Sequence, residues 1–229
     1  MNAIVLAAGR GERLRPLTDD IPKPILEIGS RALIEYHLEA LAAAGIRRVV
    51  INLSWLPRKI IGRLGDGSRY GVQLIYSYEG VEPLETAGGV ENALHLLGND
   101  PFWIVNGDVF TDFEFQPLAL DSDSLAHLLV AANPAHNCAG DFDLCDGRIS
   151  YVQPGENGDA ILPFTYCGIG LYRPELFMGR SVKRAPLGPL LRRLAVAGRL
   201  QGTLHNGVWD DIGTEERLER RRRSRETVT

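Results

Sequence analysis

The stretch that most constrains this chain is its first turn. An apolar run, Ala3-Ile4-Val5-Leu6-Ala7-Ala8, stops at Gly9-Arg10-Gly11. The run is too short for a buried helix and reads as a buried strand. Two glycines then let the backbone turn sharply and let a ligand approach the amides. Backbone N–H groups left unpaired in such a turn attract anions. Arg10, Arg13, Arg15 and Lys23 follow within a few residues. A polyphosphate is the ligand that suits this combination.

Two common phosphate loops are excluded. The third glycine position of a dinucleotide fingerprint holds Leu14, and no Gly-Lys-Ser/Thr follows as in a Walker A loop. The longer stretch is more specific. Leu6, Ala7, Gly9, Gly11, Arg13, Leu14, Pro16, Leu17 and Thr18, then Pro22-Lys23-Pro24, resemble the signature of the sugar-phosphate nucleotidyltransferases. Leu84-Glu85-Thr86-Ala87-Gly88-Gly89, Asn106-Gly107-Asp108 and Trp209-Asp210-Asp211-Ile212-Gly213-Thr214 extend the resemblance along the chain.

The remaining pattern predicts an α/β fold. Amphipathic helices are expected over residues 32–44, 57–64 and 86–97, with Thr86 capping the last. Strands are expected over 47–53, 73–78 and 102–105. Further on, strands are expected at 125–132, 166–172 and 200–205, with a helix at 186–197. Asp146-Gly147 reads as the turn of a hairpin between 141–145 and 148–153. A charged helix, capped by Thr214, closes the sequence. Its Arg220–Arg223 run reads as a solvated face. One domain is expected: a nucleotide-binding part to about 134, a sugar-side part over about 135–205, and a last segment over 206–229.

Composition narrows the function. The net charge of −4 argues against nucleic acid and anionic membranes as partners. No apolar run reaches the length of a membrane span, and no charged region precedes the first apolar run as in a secretory signal. Cys138, Cys145 and Cys167 are odd in number and lack metal-ligand spacing, which suits the cytoplasm. The five histidines are scattered, and no nucleophile–histidine arrangement stands out. Asp121-Ser122-Asp123 and Asp141-Phe142-Asp143 match the D-x-D metal motif of glycosyltransferases, but neither follows a strand that ends beside the glycine loop.

Asp108 directly follows an apolar strand and a glycine. Ligands of open α/β sheets lie beyond the carboxyl ends of the strands, so Asp108 is expected in the same crevice as the glycine loop. A carboxylate beside a polyphosphate calls for a bridging cation, and Mg²⁺ is the natural one. The resemblance implies Asp211 as the second Mg²⁺ ligand. Asp210, its neighbour, is expected to face the opposite way and to be exposed.

The resemblance further implies a Rossmann-like, GT-A-like domain with a mixed, mostly parallel sheet flanked by helices. It implies Arg13 on the leaving phosphates and Lys23 near the α-phosphate, so Arg13, Lys23, Asp108 and Asp211 are the catalytic candidates. Leu6, Ala7, Ala8, Gly9, Gly11, Glu85 and Gly88 are the expected nucleotide contacts. Asn106 and Gly168 are the expected sugar-phosphate contacts. Where many members carry Glu-Lys-Pro on the sugar side, this chain has Val152-Gln153-Pro154, and Arg184 is a candidate replacement for the lysine. The long C-terminal region of larger relatives is expected to be missing, and a monomer or weak homodimer is expected. Likeness to short bacterial members implies UTP and N-acetylmuramic acid 1-phosphate as substrates, in cell-wall sugar recycling. GTP with mannose 1-phosphate, or another hexose 1-phosphate, is the alternative. A nucleotide sensor without catalysis is the reading from another class.

Overall fold

The computed structural model describes residues 1–152, 162–179 and 181–226. Gln153 and Pro154 of the expected sugar-side stretch lie outside the described residues. In chain order the strands are β1 (Ala3–Leu6), β2 (Glu27–Ile28), β3 (Arg31–Ala32), β4 (Arg48–Leu53), β5 (Gln73–Tyr78), β6 (Phe102–Asn106) and β7 (Val109–Thr111). They continue with β8 (Ala126–Ala132), β9 (Asp143–Cys145), β10 (Arg148–Ser150), β11 (Phe164–Tyr172), β12 (Leu200–Leu204) and β13 (Trp209–Asp211). The helices are α1 (Leu17–Asp20), α2 (Leu33–Ala43), α3 (Pro57–Leu64), α4 (Glu85–Leu97), α5 (Gly188–Val196) and α6 (Glu215–Glu226).

Among the described residues nine strands form one sheet, in the order β5-β4-β1-β6-β11-β8-β12-β10-β9. The first four are mutually parallel, and β11 enters antiparallel between β6 and β8. Only β11 and β10 run against the rest. This is a Rossmann-like α/β fold with a mixed, mostly parallel sheet flanked by helices. The fully apolar strands read as such because both faces are covered. Ala3 and Val5 of β1 pack toward α2 and α3 with Leu38, Leu41 and Ile60. Ile4 packs the other way, toward α4 and α5 with Val90, Ala93 and Leu191.

A third, smaller core lies beneath the site. Leu14, Leu26, Ile28, Leu33, Phe110, Ile212 and Leu218 are all buried together. They join the signature loop, the β2–β3 hairpin, the β7–β13 ribbon and α6 into one block. The β2–β3 hairpin was not legible in the sequence, because two-residue strands carry no periodic pattern.

Local signals explain most element ends. Gly45, at φ 80°, closes α2 in a Schellman motif, with Ile46 N–H donating to the Leu41 carbonyl at 3.0 Å. Asp146 and Gly147 both have positive φ, as a two-residue hairpin turn requires. Thr86 departs from expectation. Helix α4 begins at Glu85, and the Thr86 hydroxyl accepts the Leu187 N–H at 2.7 Å instead of capping.

Glu35 ties α2 to its surroundings. Its carboxylate accepts the Ala32 N–H at 2.8 Å, Arg63 Nε at 2.9 Å, Arg69 Nη2 at 2.8 Å and the Tyr70 hydroxyl at 2.6 Å. Burial alone would raise its pKa, but Arg63, Tyr70 and the Ala32 amide outweigh it and hold the carboxyl at about 2. The depressed pKa stabilises the fold above the ordinary carboxylate range, and that stabilisation is lost as pH falls toward 2. We expect Glu35→Gln to cost about 3 kcal/mol at pH 7. Urea unfolding at several pH values checks this: the gap to the wild type should narrow steadily between pH 5 and pH 3. A gap independent of pH would show that the four donors do not set the charge state.

Candidate active site

The site is built where β1, β4 and β6 end side by side. Beyond β1, Ala7 and Ala8 are buried. The Ala7 N–H donates to Asn52 Oδ1 at 2.6 Å, so this amide is held by β4. Asn52 Nδ2 in turn donates to Glu79 Oε1 at 2.6 Å, and Glu79 Oε2 accepts the Leu84 N–H at 2.7 Å. This chain of bonds fixes the approach to α4 against the end of β1. Sequence reading missed Asn52. Its one signal was a polar residue inside the apolar run Val49–Leu53.

The glycine turn itself is left open. A Cβ at Gly9 would meet nothing within 4 Å, so bare backbone borders the cavity there. Gly11 is required twice over. Its φ is +70°, and a Cβ would press on Thr18 Cγ2 at 3.0 Å and Lys23 Cβ at 3.3 Å. Thr18 of the signature donates its hydroxyl to the Gly11 carbonyl at 2.8 Å, and Trp55 Nε1 donates to the Thr18 carbonyl at 2.9 Å. The Arg10 guanidinium lies 4.4 Å above the Trp55 ring.

Two cavities of about 420 Å³ each meet at Arg13, Asn106 and Asp108. Leu6, Ala7, Ala8, Gly9, Gly11 and Glu85 border the first. Asp141, Gly168 and Asp211 border the second. Arg13 has no carboxylate partner among the described residues, so its guanidinium is available to a ligand. Lys23 is 8% exposed and donates to Asp108 Oδ2 at 2.5 Å. Burial works against ionisation of Asp108, but Lys23 overrides it and lowers the carboxyl below its ordinary pKa.

Asp108 stands in the turn just before β7, and β7 pairs with β13, which ends at Asp211. Asp211 of β13 stands opposite Val109 of β7, and the Ile212 N–H donates to the Asp108 carbonyl at 3.0 Å. Trp209 of the same segment donates Nε1 to the Cys167 carbonyl at 3.0 Å, which ties β13 to β11. Arg217 Nη1 holds Asp211 Oδ2 at 3.0 Å and also donates to His136 Nε2 at 2.9 Å. His136 is therefore the neutral tautomer with Nε2 as acceptor. Burial lowers its pKa, and Arg217 lowers it further. Arg217 and His136 were not anticipated. Each acts through a side-chain contact made across distant segments.

Gly168 and Asn106 are in contact. Gly168 has φ 75°, and a Cβ there would overlap the Asn106 side chain. Glycine at this bulge of β11 lets Asn106 reach across the strand.

Three expectations need correction. Gly88 does not border the cavity. Its bare side is filled by the Lys183 carbonyl, and the Ala87 and Gly88 N–H groups donate to the Ala185 carbonyl. The glycine serves to seat the segment 183–187 on α4. Asp210 is not exposed: it pairs with Arg220 at 3.1 Å and with Arg221, whose guanidinium lies over Phe110. The arginine run is therefore no simple solvated face. Alternation did send Asp210 away from Asp211, but α6 covers that side. Asp141, set aside with its D-x-D motif, lines the second cavity. Arg184, considered for the sugar phosphate, pairs with Glu85 at 2.9 Å.

The donor set fits a hard cation. Among the described residues no group of three or more His, Cys, Asp or Glu gathers to enclose a metal. Two carboxylates facing a roomy cavity suit an ion that takes its other ligands from phosphate oxygens and water.

Residues 2–137 match the family model described as nucleotidyl transferase. The chain is 48% identical to the N-acetylmuramate alpha-1-phosphate uridylyltransferase of Neisseria meningitidis serogroup B, over 95% of both chains. This chain belongs to the nucleotidyl transferase family. The namesake in Caulobacter vibrioides is 32% identical over 92% of this chain and 91% of its own. A mannose-1-phosphate guanyltransferase of Candida albicans is 41% identical, but over 52% of this chain and 33% of its own. Among solved structures, a UDP-glucose pyrophosphorylase covers 100% of this transferase at 18% identity and a TM-score of 0.78. HddC from Yersinia pseudotuberculosis covers 97% at 21% identity and a TM-score of 0.77. These two likenesses concern the fold. Nucleotidyl transferases generally use a divalent metal, in keeping with the paired carboxylates.

The neighbouring aspartates should separate cleanly by substitution. Asp108→Asn is expected to cut turnover at least about 100-fold, because it removes charge held at the reacting phosphates. Asp210→Asn should change turnover only a few-fold while lowering the melting temperature, since it releases Arg220 and Arg221 of α6. Pyrophosphate release and thermal unfolding measure the two effects. Near-full turnover in Asp108→Asn at saturating divalent metal would remove Asp108 from the metal site.

Proposed function

We propose that this transferase moves a uridylyl group from UTP to N-acetylmuramic acid α-1-phosphate and releases pyrophosphate. The near full-length identity to a uridylyltransferase of that substrate carries this reading. Two cavities meeting at Arg13, Asn106 and Asp108 support it, since the reaction joins two phosphorylated substrates. Both substrates are phosphorylated intracellular metabolites, which supports a cytoplasmic role in recycling cell-wall sugar. The metal is Mg²⁺, held by Asp108 and Asp211, and it supplies charge neutralisation to the triphosphate when bound.

The residues divide the work. The Gly9 backbone lets the nucleotide lie against the end of β1. Arg13, with its planar fork, binds the β- and γ-phosphates that leave. Lys23 transfers its hydrogen bonds from Asp108 to the α-phosphate. A sugar-phosphate oxygen attacks the α-phosphorus, and the bond to the β-phosphate bridge breaks as pyrophosphate departs with the electron pair. The attacking oxygen is already ionised, so no general base is needed. His37 accordingly plays no part as one. It is buried, its pKa is lowered by burial to about 4, and its Nε2 is bonded to the Val109 carbonyl at 2.8 Å.

Two measurements test this. Four nucleoside triphosphates, each with N-acetylmuramic acid, N-acetylglucosamine, glucose and mannose 1-phosphates, should give the highest kcat/KM for UTP with the muramic compound. A preference for GTP with mannose 1-phosphate would replace the proposal. Lys23→Ala should lower kcat by about 10²–10³-fold while UTP binding weakens less, because the lysine acts most strongly in the transition state. Lys23→Arg should recover little, since the guanidinium is larger and its geometry differs from a point charge. An unchanged kcat with weakened UTP binding would reduce Lys23 to a nucleotide anchor.

A further inference from the structure

N-acetylmuramic acid differs from N-acetylglucosamine by one arm, a lactyl ether that carries a carboxylate. An enzyme that selects it needs a cation not already committed to phosphate or to an internal acid. The cations bordering the site can be sorted on that basis. Arg13 lines both large cavities and Lys23 lines the first, and both are assigned to phosphate in the proposed reaction. Arg217 is spent on Asp211 and His136. Arg184 is paired with Glu85.

Arg192 remains. It lines a smaller cavity of about 180 Å³ that continues from the other two. This cavity shares Thr86 and Asn106 with the first, and Asn106, Asp141 and Tyr166 with the second. Arg192 has no carboxylate partner among the described residues. Its guanidinium is steadied instead by the Tyr151 ring, 5.5 Å from the centroid. Tyr151 itself packs edge-on against Phe142, a wall of the same cavity. Gly188 lies one helical turn before Arg192, at the start of α5, and also lines the cavity. A Cβ at Gly188 would meet nothing within 4 Å, so the positive end of the helix is unobstructed there. On another wall, Asp141 Oδ2 accepts the Tyr166 N–H at 2.9 Å. No protein donor among the described residues engages Asp141 Oδ1, so it is open to a sugar hydroxyl or the acetamido N–H.

We infer that Arg192 is the residue that reads the lactyl carboxylate and so sets the choice of muramic over glucosamine substrate. The inference rests on the proposed substrate. The cavity, at about 180 Å³, has room for a side arm of the sugar. A guanidinium placed over an aromatic ring with no acid of its own is available to a carboxylate, which it can meet with two parallel hydrogen bonds. Because Arg192 is exposed at the rim, the interaction is partly screened by water and its effect is moderate.

The experiment compares wild type, Arg192→Gln and Arg192→Lys at saturating UTP. Each receives N-acetylmuramic acid α-1-phosphate and N-acetylglucosamine 1-phosphate, with inhibition constants replacing kcat/KM for a sugar turned over too slowly. Arg192→Gln should lose about 10–100-fold on the muramic compound, mainly through KM, and stay within two- to threefold on the glucosamine compound. Arg192→Lys should retain part of the preference. UTP binding and melting temperature should not move, since Arg192 is exposed and makes no hydrogen bond with the core. Equal losses on both sugars, or no loss on either, would overturn the inference while leaving the proposed reaction intact. A wild type that refuses the muramic compound and turns over another sugar phosphate would overturn both.

Discussion

Lys23 and Asp108 are 85 residues apart in sequence and 2.5 Å apart in space. Neither charge could be buried alone at tolerable cost. Pro22 and Pro24 restrict the backbone on both sides of the lysine, so its side chain has little choice of direction. The pair fastens the signature loop to the end of β6, and the small core of Leu14, Leu26, Phe110, Ile212 and Leu218 forms around that junction. The same logic repeats on the next strand, where Arg217 of α6 neutralises Asp211. Arg13 apart, the site thus holds these charges in internal pairs. A polyphosphate and its cation can take the opposite members of these pairs as partners.

A second set of bonds keeps the nucleotide side in place. Asn52 and Glu79 link β1, β4 and the loop before α4, and Gly89 has no side chain because the two occupy that space. Gly88 makes the matching allowance for the Lys183 carbonyl. The glycine pair in the first turns of α4 is therefore a packing requirement. Its influence on the nucleotide is indirect, through the position of Glu85 and Thr86 on the cavity wall. Segment 183–187, clamped on α4, also carries the chain into α5. The nucleotide wall and the sugar wall are in this way mechanically joined.

Apolar alternation, Gly45, Gly198 and the Asp146-Gly147 turn marked the strands and helices well, because each is a local signal with a local cause. The signature and the strand-end aspartate were legible for the same reason. What escaped was long-range and polar. Asn52, Arg217 and His136 work through single side-chain bonds to distant segments, which leave no period in the sequence. Asp210 was misjudged because strand alternation reports the face a residue points to but not what covers that face. The arginine run of α6 covers it, with Arg222 also reaching the Glu27 carbonyl at 2.9 Å. Thr86 was misjudged because a hydroxyl at a helix start has competing acceptor roles, and Leu187 claims this one.

The two halves of the site are built differently, and this bears on specificity. The loop from Gly9 to Pro24, together with Asp108, lies inside the stretch that matches the family model, residues 2–137. On the proposed reading these groups face the triphosphate, whose chemistry is common to every nucleotidyl transfer. The walls of the second and the smaller cavity come mostly from beyond that stretch: Asp141, the bulge of β11 at Gly168, the start of α5, and Asp211. A bulge aims Asn106, and a helix aims Arg192. Such features change direction with single substitutions while the sheet beneath stays fixed. A mannose-1-phosphate guanyltransferase resembles this chain at 41% identity over only 52% of this chain's length. Phosphate calls for charge and backbone at the sheet's edge, whereas a sugar's identity calls for side chains that aim its hydroxyls and arms, and on the proposed reading those stand on the far wall.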